Sequence, residues 1–244
     1  MRLSDYPRFF TLASRRLRSP RDYRAFQAFQ GQQLVAYLHN HIPGSLAEAR
    51  VLDLGCSFGG YAAALAGGVH LAVGLDLRFS LPRPVVSGNL GFVCADAMQT
   101  PFDDRSFDLV ICASLVEHVA QPLHLLSQIA RLLRSGGWCY LSFPPYYSLR
   151  GGHGFSPFHL LGEPVALKVH GMLHPGHTVA SYASAYGDCG LYKVTIHGVE
   201  SLLGTLPFEI WDVSTRWPSL NTARWPWLNE FLTWHVQFLL RRKP

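Results

Sequence analysis

Short apolar runs alternate with amphipathic helical segments through the middle of the chain. Runs of mostly apolar residues predict buried strands at positions 50–54, 71–76, 92–95, 107–112 and 138–143. Between them, apolar residues at helical spacing predict helices at positions 61–66 and 123–133. Because buried strands joined through helices pair in parallel, this alternation favours an α/β fold with a helix-covered parallel sheet.

The two ends of the chain fit this alternation less well. The remaining predicted elements are helices at 8–17, 23–39 and 177–189 and strands at 191–199 and 234–240. Two stretches do not belong to a minimal α/β unit: 144–176 is rich in Gly, Pro, Tyr and His, and 206–233 is rich in Trp. We interpret both stretches as additions to the sheet.

Composition is typical of a globular intracellular protein. Apolar residues make up 48% and charged residues 15% of the 244 residues, which excludes a disordered chain. No run approaches the roughly 18 apolar residues of a spanning helix, and the first residues lack the order of a signal peptide. The five cysteines are odd in number and form no CxxC pair, as expected for buried thiols in a reducing compartment. We therefore expect a cytoplasmic protein.

The net charge of +5 is concentrated at the start of the chain. Positions 1–24 hold seven Arg and two Asp, whereas the remainder is balanced, with 14 basic and 14 acidic residues. Since the excess lies in one segment and not along a groove-sized face, we expect no nucleic-acid partner. We interpret the segment as a solvated helix face, with contact to an acidic membrane surface or an anionic substrate as the alternatives.

A glycine-rich turn after the first predicted strand carries the strongest chemical signal. The run Val-Leu-Asp-Leu-Gly-Cys-Ser-Phe-Gly-Gly brings Asp53 to the end of a buried strand and Gly55 and Gly59 into a tight turn. Glycine is needed where backbone approaches a ligand closely, because a Cβ would collide. The spacing does not fit the dinucleotide pattern G-x-G-x-x-G. A carboxylate at Asp53 would repel a pyrophosphate but can accept hydrogen bonds from an ammonium group.

Two further aspartates follow the next predicted strands. Asp76 ends the second strand, where a carboxylate suits paired hydrogen bonds to ribose hydroxyls. Asp96 follows the third, where it can accept from an adenine amino group. Three carboxylates at successive strand ends suit a ligand with an ammonium and a sulfonium group, and they penalise the two phosphates of NAD. A nicotinamide-dependent oxidoreductase is therefore the less favoured alternative.

Several segments resemble the successive motifs of class I S-adenosylmethionine-dependent methyltransferases: 51–60, 74–77, 95–107 and 108–119. The runs Pro-Phe-Asp-Asp-Arg-Ser-Phe-Asp-Leu-Val, Ser-Leu-Val-Glu-His-Val and Arg-Leu-Leu-Arg-Ser-Gly-Gly resemble the type 11 branch of that family. The resemblance implies a Rossmann-like, seven-stranded, doubly wound sheet whose final strand is antiparallel. It also implies S-adenosylmethionine as the cofactor.

The resemblance implies a role for each residue of the turn and of the strand ends. Gly55 and Gly59 would line the methionine moiety, and Asp53 would help to hold its ammonium group. Asp76 would bind the ribose, and Ser57 stands where the family pattern often has a second glycine. The remaining positions would meet the adenine or face the cofactor after the fourth strand: Leu77, Asp96, Ala97, Met98 and Ala113.

Residues after the fifth predicted strand are candidates for the acceptor site. The Gly-Gly-His-Gly-Phe-Ser-Pro run around His153 resembles the part of the family that faces the acceptor. His153 is the first choice for a general base, and we expect Tyr146 and Tyr147 to contact the acceptor. The pair Glu117–His118 follows the fourth strand, where the resemblance implies a structural role. No spacing in the sequence predicts a metal site.

We therefore predict a single methyltransferase domain over residues 1–244. Its parts are a helical lid at 1–45, a cofactor-binding core at 50–143 and acceptor-site insertions at 144–176 and 206–233. Few charges and many aromatic residues in the insertions favour a small-molecule acceptor that is partly apolar or ring-bearing. An enzyme that transfers the methyl group by in-line displacement is the preferred function. A protein that binds S-adenosylmethionine without turnover is the main alternative, and the sequence indicates no oligomeric state.

Overall fold

The computed structural model describes residues 3–78, 88–187, 189–217 and 220–244 of the chain. Its helices are α1 (Tyr6–Arg15), α2 (Pro20–His41), α3 (Gly60–Ala66), α4 (Pro122–Leu132), α5 (Glu163–Leu173), α6 (Ile196–Gly204) and α7 (Asn229–Leu232). Its strands are β1 (Arg50–Leu54), β2 (Leu71–Asp76), β3 (Leu90–Cys94), β4 (Phe107–Ala113), β5 (Leu133–Phe143), β6 (Phe208–Thr215) and β7 (Val236–Arg242). Within the described ranges, no helix combines the length and apolarity needed to cross a bilayer.

The strands form one seven-stranded sheet in the order β3-β2-β1-β4-β5-β7-β6. Neighbouring strands among the first five pair in parallel, whereas β7 runs antiparallel to both β5 and β6. In β1 only Arg50 is exposed and the following residues are buried, as expected for a strand covered on both faces. The structure thus confirms the predicted doubly wound sheet with a final antiparallel strand.

Helices cover both faces of this sheet. On one face, the second half of α2 buries Leu34 in a cluster with residues of α3 and the strands. Gly31 permits this close packing, because a Cβ there would lie 2.6 Å from the Cβ of Ala64 in α3. On the other face, α4 and α6 contribute Leu125 and Val199 to a second cluster. The segment predicted as a lid, residues 1–45, therefore contains α2, whose second half covers one face of the sheet.

Two elements predicted near the end of the chain are wrong. Among its described residues, the segment predicted as a helix at 177–189 holds a short 3₁₀ turn at Tyr182–Ser184 in place of an α-helix. The segment predicted as a strand at 191–199 contains the start of α6. Thr195 caps α6 because its Oγ1 accepts from the Gly198 N–H at 3.0 Å, and the buried residues of α6 recur at helical spacing. The sixth strand is β6, which lies inside the stretch predicted as an insertion.

Candidate active site

A cavity of about 850 Å³ opens at the carboxyl ends of the parallel strands. It lies where the chain order reverses between β1 and β4, the place where doubly wound sheets bind their ligands. The cavity is lined by most of the predicted site residues: Gly55, Ser57, Asp76, Leu77, Asp96, Ala97, Met98 and His153. The other predicted residues, all within the described ranges, do not line it: Asp53, Gly59, Ala113, Tyr146 and Tyr147.

The turn between β1 and α3 forms one wall of the cavity. Its backbone is left-handed at Gly55 (φ +78°), Ser57 (φ +50°) and Gly59 (φ +73°). The Gly55 N–H donates to the Leu75 carbonyl of the neighbouring strand at 2.8 Å, which fixes the turn. A Cβ on Gly59 would lie 2.5 Å from the Phe92 ring. Glycine at this position is therefore required by packing beneath the turn.

Two carboxylates at the edge of the cavity are held by backbone amides. We call this pair, Asp76 and Asp96, the carboxylate rim. Asp76 accepts from the Ser57 N–H at 2.8 Å and from the Arg78 N–H at 3.2 Å. Asp96 accepts from the Met98 N–H at 2.8 Å. Because a carboxylate offers about four lone-pair sites, both side chains can still accept hydrogen bonds from a ligand in a fixed orientation.

Asp53 lies behind the turn and not in the cavity. It is 1% exposed, and its Oδ2 accepts from the Ala62 N–H in α3 at 3.1 Å. Burial, aided by the negative charge of Asp76, raises the pKa of Asp53 to about 7. The structure therefore brings two of the three strand-end carboxylates to the cavity and buries the third, because the side chain of Asp53 ties α3 to β1.

Three other predicted contacts also lie outside the cavity. Ala113 is buried at the end of β4, and Ser114, with φ +57°, lines the cavity in its place. The rings of Tyr146 and Tyr147 pack together with centroids 5.5 Å apart, and the Lys193 ammonium lies 4.5 Å from the Tyr147 centroid. Both tyrosines thus belong to the packed loop after β5 and not to the cavity wall.

Imidazole and phenol rings line another part of the cavity, which we call the histidine wall (His118, His153 and Tyr186). The His118 ring lies 4.9 Å from that of His153 and 5.2 Å from that of Tyr186. Behind the wall, Glu117 is 2% exposed, and its Oε1 lies 3.5 Å from Nε2 of His153. Sequence reasoning missed His118 as a lining residue, although its place just after β4 was a signal.

Comparison with known proteins assigns this chain to a family. The family model described as a methyltransferase domain matches residues 52–141. An uncharacterized methyltransferase of Mycolicibacterium paratuberculosis is 33% identical over 201 residues, which cover 81% of this chain and 78% of the relative. The chain is a class I S-adenosylmethionine-dependent methyltransferase.

Solved structures share the fold of the methyltransferase. An S-adenosylmethionine-dependent methyltransferase from Mesorhizobium loti has a TM-score of 0.58 over 86% of this chain and 98% of its own, at 21% identity. Phosphoethanolamine N-methyltransferase 1 of Haemonchus contortus has a TM-score of 0.57 over 88% of this chain and 42% of its own, at 14% identity. At such identities the likeness shows the fold alone, so the site is argued from the chain's own residues.

The methyltransferase also brings a residue of its leading helices to the turn. The Tyr23 ring, in the first turn of α2, lies 5.0 Å from the Phe58 ring, which belongs to the turn between β1 and α3. Burial raises the pKa of Tyr23, although the positive charge of Arg16 opposes this effect. Tyr23 is therefore a neutral hydroxyl beside the turn. Its sequence context, an apolar helix face, gave no sign of this position.

Side chains of the histidine wall and the buried glutamate have the donor atoms of a metal site. Glu117, His118 and His153 each offer one ligand atom, and these atoms lie within 4.8 Å of one another. Sequence reasoning predicted no metal site because it looked for ligands at local spacing. The Glu117–His118 pair and His153 come from separate loops, and only the fold brings them together.

Proposed function

We propose that the methyltransferase transfers the methyl group of S-adenosylmethionine to a small-molecule acceptor that binds against the histidine wall. The observation that supports this proposal is that the carboxylate rim and the histidine wall line one cavity. A shared cavity lets donor and acceptor meet with their reacting atoms aligned. Methyl transfer from a sulfonium is accelerated mainly by positioning the donor and the acceptor and by excluding water.

The carboxylate rim fits a cationic nucleoside. Asp76 would accept from the two ribose hydroxyls, and Asp96 would accept from the adenine amino group. The turn around Gly55 and Ser57 would hold the methionine moiety. Since no Lys or Arg belongs to the described lining, a dinucleotide would find carboxylates and no positive partner for its phosphates. When bound, S-adenosylmethionine supplies an activated methyl group on its sulfonium.

Asp53 would act on the ammonium group of the cofactor through its charge and not by direct contact. Its Oδ2 is engaged by the Ala62 N–H, and the side chain is buried. With a pKa of about 7, the carboxyl is partly ionised near neutral pH. A nearby ammonium group would favour the ionised form, so cofactor binding and ionisation of Asp53 would support each other.

The histidine wall fits an acceptor with apolar or ring character. Tyr192 and Leu115 add aromatic and aliphatic surface beside Tyr186 in the cavity lining. A ring that carries a hydroxyl or amino group can stack on this surface while its nucleophilic atom meets His153. Two roles are open to His153 there: it can accept the proton of the acceptor, or it can hold a cation to which the acceptor binds.

Two assays test this function. Calorimetry compares S-adenosylmethionine with NAD as ligands of the full chain, and we expect binding of the first in the micromolar range and none of the second. The protein is then incubated with methyl-tritiated S-adenosylmethionine and a protein-free cell extract, and we expect label in an organic-soluble product. Cofactor binding without label in any fraction would favour a binding protein without turnover. Tight binding of NAD would favour an oxidoreductase.

A further inference from the structure

A buried carboxylate without a hydrogen-bond partner lies behind the histidine wall. Glu117 is 2% exposed, and neither of its carboxylate oxygens accepts a hydrogen bond from any described residue. Transfer of an ionised carboxylate from water to a protein interior is costly unless a positive partner or several donors replace the lost water. His153 lies beside this carboxylate: its Nε2 is 3.5 Å from Oε1 and makes no hydrogen bond among the described residues.

His118 is held in the tautomer that a metal ligand requires. Its Nδ1 lies 2.8 Å from the carbonyl oxygen of Gly190. Because a carbonyl only accepts, Nδ1 carries the hydrogen and donates, which leaves a lone pair on Nε2 of the neutral ring. Metal-binding histidines commonly donate their second ring N–H to a carbonyl or carboxylate in this way.

The backbone at His153 is also unusual. Its φ is +49°, a left-handed value that side-chain-bearing residues adopt rarely and that often marks functional sites. Gly152 before it must be glycine, because a Cβ there would lie 2.3 Å from the His159 ring. The loop after β5 is therefore built so that the His153 ring lies beside His118 and Glu117.

We propose that Glu117, His118 and His153 bind one divalent transition-metal ion of the zinc type. Two imidazoles and one carboxylate form the ligand set of open zinc sites and of related iron sites, whereas Mg²⁺ prefers oxygen ligands throughout. The ligand atoms lie within 4.8 Å of one another, and bonds of about 2.0–2.2 Å to one ion require side-chain movements of only about 1 Å. The cation would also supply a fixed positive charge to the buried carboxylate, which accepts no hydrogen bond from a described residue.

The ion would face the cavity, since His118 and His153 both line it. Three protein ligands leave at least one coordination position open, and an acceptor hydroxyl can occupy that position. Coordination to a divalent cation would make that hydroxyl more acidic, so that it would release its proton to water before it takes the methyl group from the sulfonium. The acceptor class is therefore a hydroxylated, ring-bearing small molecule. This assignment of the acceptor rests on the proposed function, whereas binding of the ion does not.

Calorimetric titration of the chelator-treated full chain with Zn²⁺ and with Mg²⁺ tests the site. We expect one tight equivalent of Zn²⁺ and no comparable binding of Mg²⁺. Substitution of a residue that only hydrogen-bonds to a metal ligand typically weakens metal affinity by about 10–100-fold. Glu117→Gln and His153→Ala should therefore each weaken tight Zn²⁺ binding by at least about 100-fold. Thermal melts and S-adenosylmethionine affinity establish that both variants are folded.

His174→Ala is the matched control, because His174, just after α5, is another histidine with a histidine neighbour, His170, at 4.7 Å between ring centroids. The tight equivalent should survive His174→Ala.

Absence of tight Zn²⁺ binding, its survival in Glu117→Gln, or its loss in His174→Ala would each overturn the proposal. If Zn²⁺ binds as expected but no acceptor is ever labelled, the metal site stands and the proposed function fails. If label transfer proceeds and no Zn²⁺ binds, the metal site alone fails.

Discussion

Replacement of Asp76 by alanine tests the ribose part of the cavity. In a site that has displaced the water around the ribose, loss of the carboxylate leaves two hydroxyls without partners, which costs ~1–3 kcal/mol. At 1.4 kcal/mol for each factor of ten, the Kd for S-adenosylmethionine should rise roughly 5- to 150-fold. The Ser57 N–H also loses its 2.8 Å bond to Oδ2, which loosens the turn, so we expect the upper part of this range.

Asp76→Asn separates the two effects. Its amide oxygen can still accept from the Ser57 N–H, so the turn keeps its anchor while the charge is lost, and we expect a smaller rise in Kd. Calorimetry with S-adenosylmethionine and S-adenosylhomocysteine should show equal weakening, because both carry the same ribose. Asp104→Asn is the control, since Asp104 is 70% exposed and its ion pair with Arg131 lies on the surface. Unchanged affinity in Asp76→Ala would refute the placement of the ribose.

Three further substitutions test other parts of the account. His153→Ala should lower turnover by about 100-fold or more and leave S-adenosylmethionine affinity unchanged, because it lies on the acceptor side. Gly59→Ala should destabilise the fold by about 1–3 kcal/mol, since its Cβ would lie 2.5 Å from the Phe92 ring and its φ is +73°. Burial raises the pKa of Asp53 from 3.8 to about 7, so the folded chain binds more protons than the unfolded chain between these values. Wild type therefore loses stability as pH rises through this window, by up to about 4 kcal/mol, and Asp53→Asn should lack this component.

Each of these expectations has a clear contrary result. Full turnover in His153→Ala, measured by label transfer at saturating cofactor, would remove His153 from the reaction. A wild-type melting temperature in Gly59→Ala would show that the Phe92 ring yields at no cost. For Asp53, denaturant unfolding of wild type and Asp53→Asn is compared at several pH values between 4 and 8. A difference in unfolding free energy that stays constant across this range would refute the raised pKa.

The parts of the fold that the sequence predicted depend on local pattern. Strands β1 and β2 were placed correctly because continuous apolar runs ended by a glycine-rich turn or an aspartate have few other interpretations. The segment that became α6 was misassigned because its start depends on one hydroxyl, Thr195 Oγ1, accepting from the Gly198 N–H. Strand β6 was missed because its outward residues, including Ile210 and Trp211, are exposed apolar side chains at a sheet edge.

The same distinction between local pattern and tertiary packing decides which parts of the candidate site could be predicted. Asp76 and the turn at Gly55 follow from spacing along one strand–turn–helix unit, and spacing is visible in a sequence. The burial of Asp53 depends on where α3 packs, and the meeting of Glu117 with His153 depends on how the loop after β5 folds back over β4. Neither arrangement leaves a periodic signal, so both required the structure.

The most direct test of the account is a crystal structure of the full chain with S-adenosylhomocysteine. We predict that the nucleoside occupies the cavity of about 850 Å³, with its ribose hydroxyls within hydrogen-bond distance of Asp76 and its sulfur facing the histidine wall. Density for the nucleoside at any other place on the protein, or a ribose that does not contact Asp76, would contradict the account.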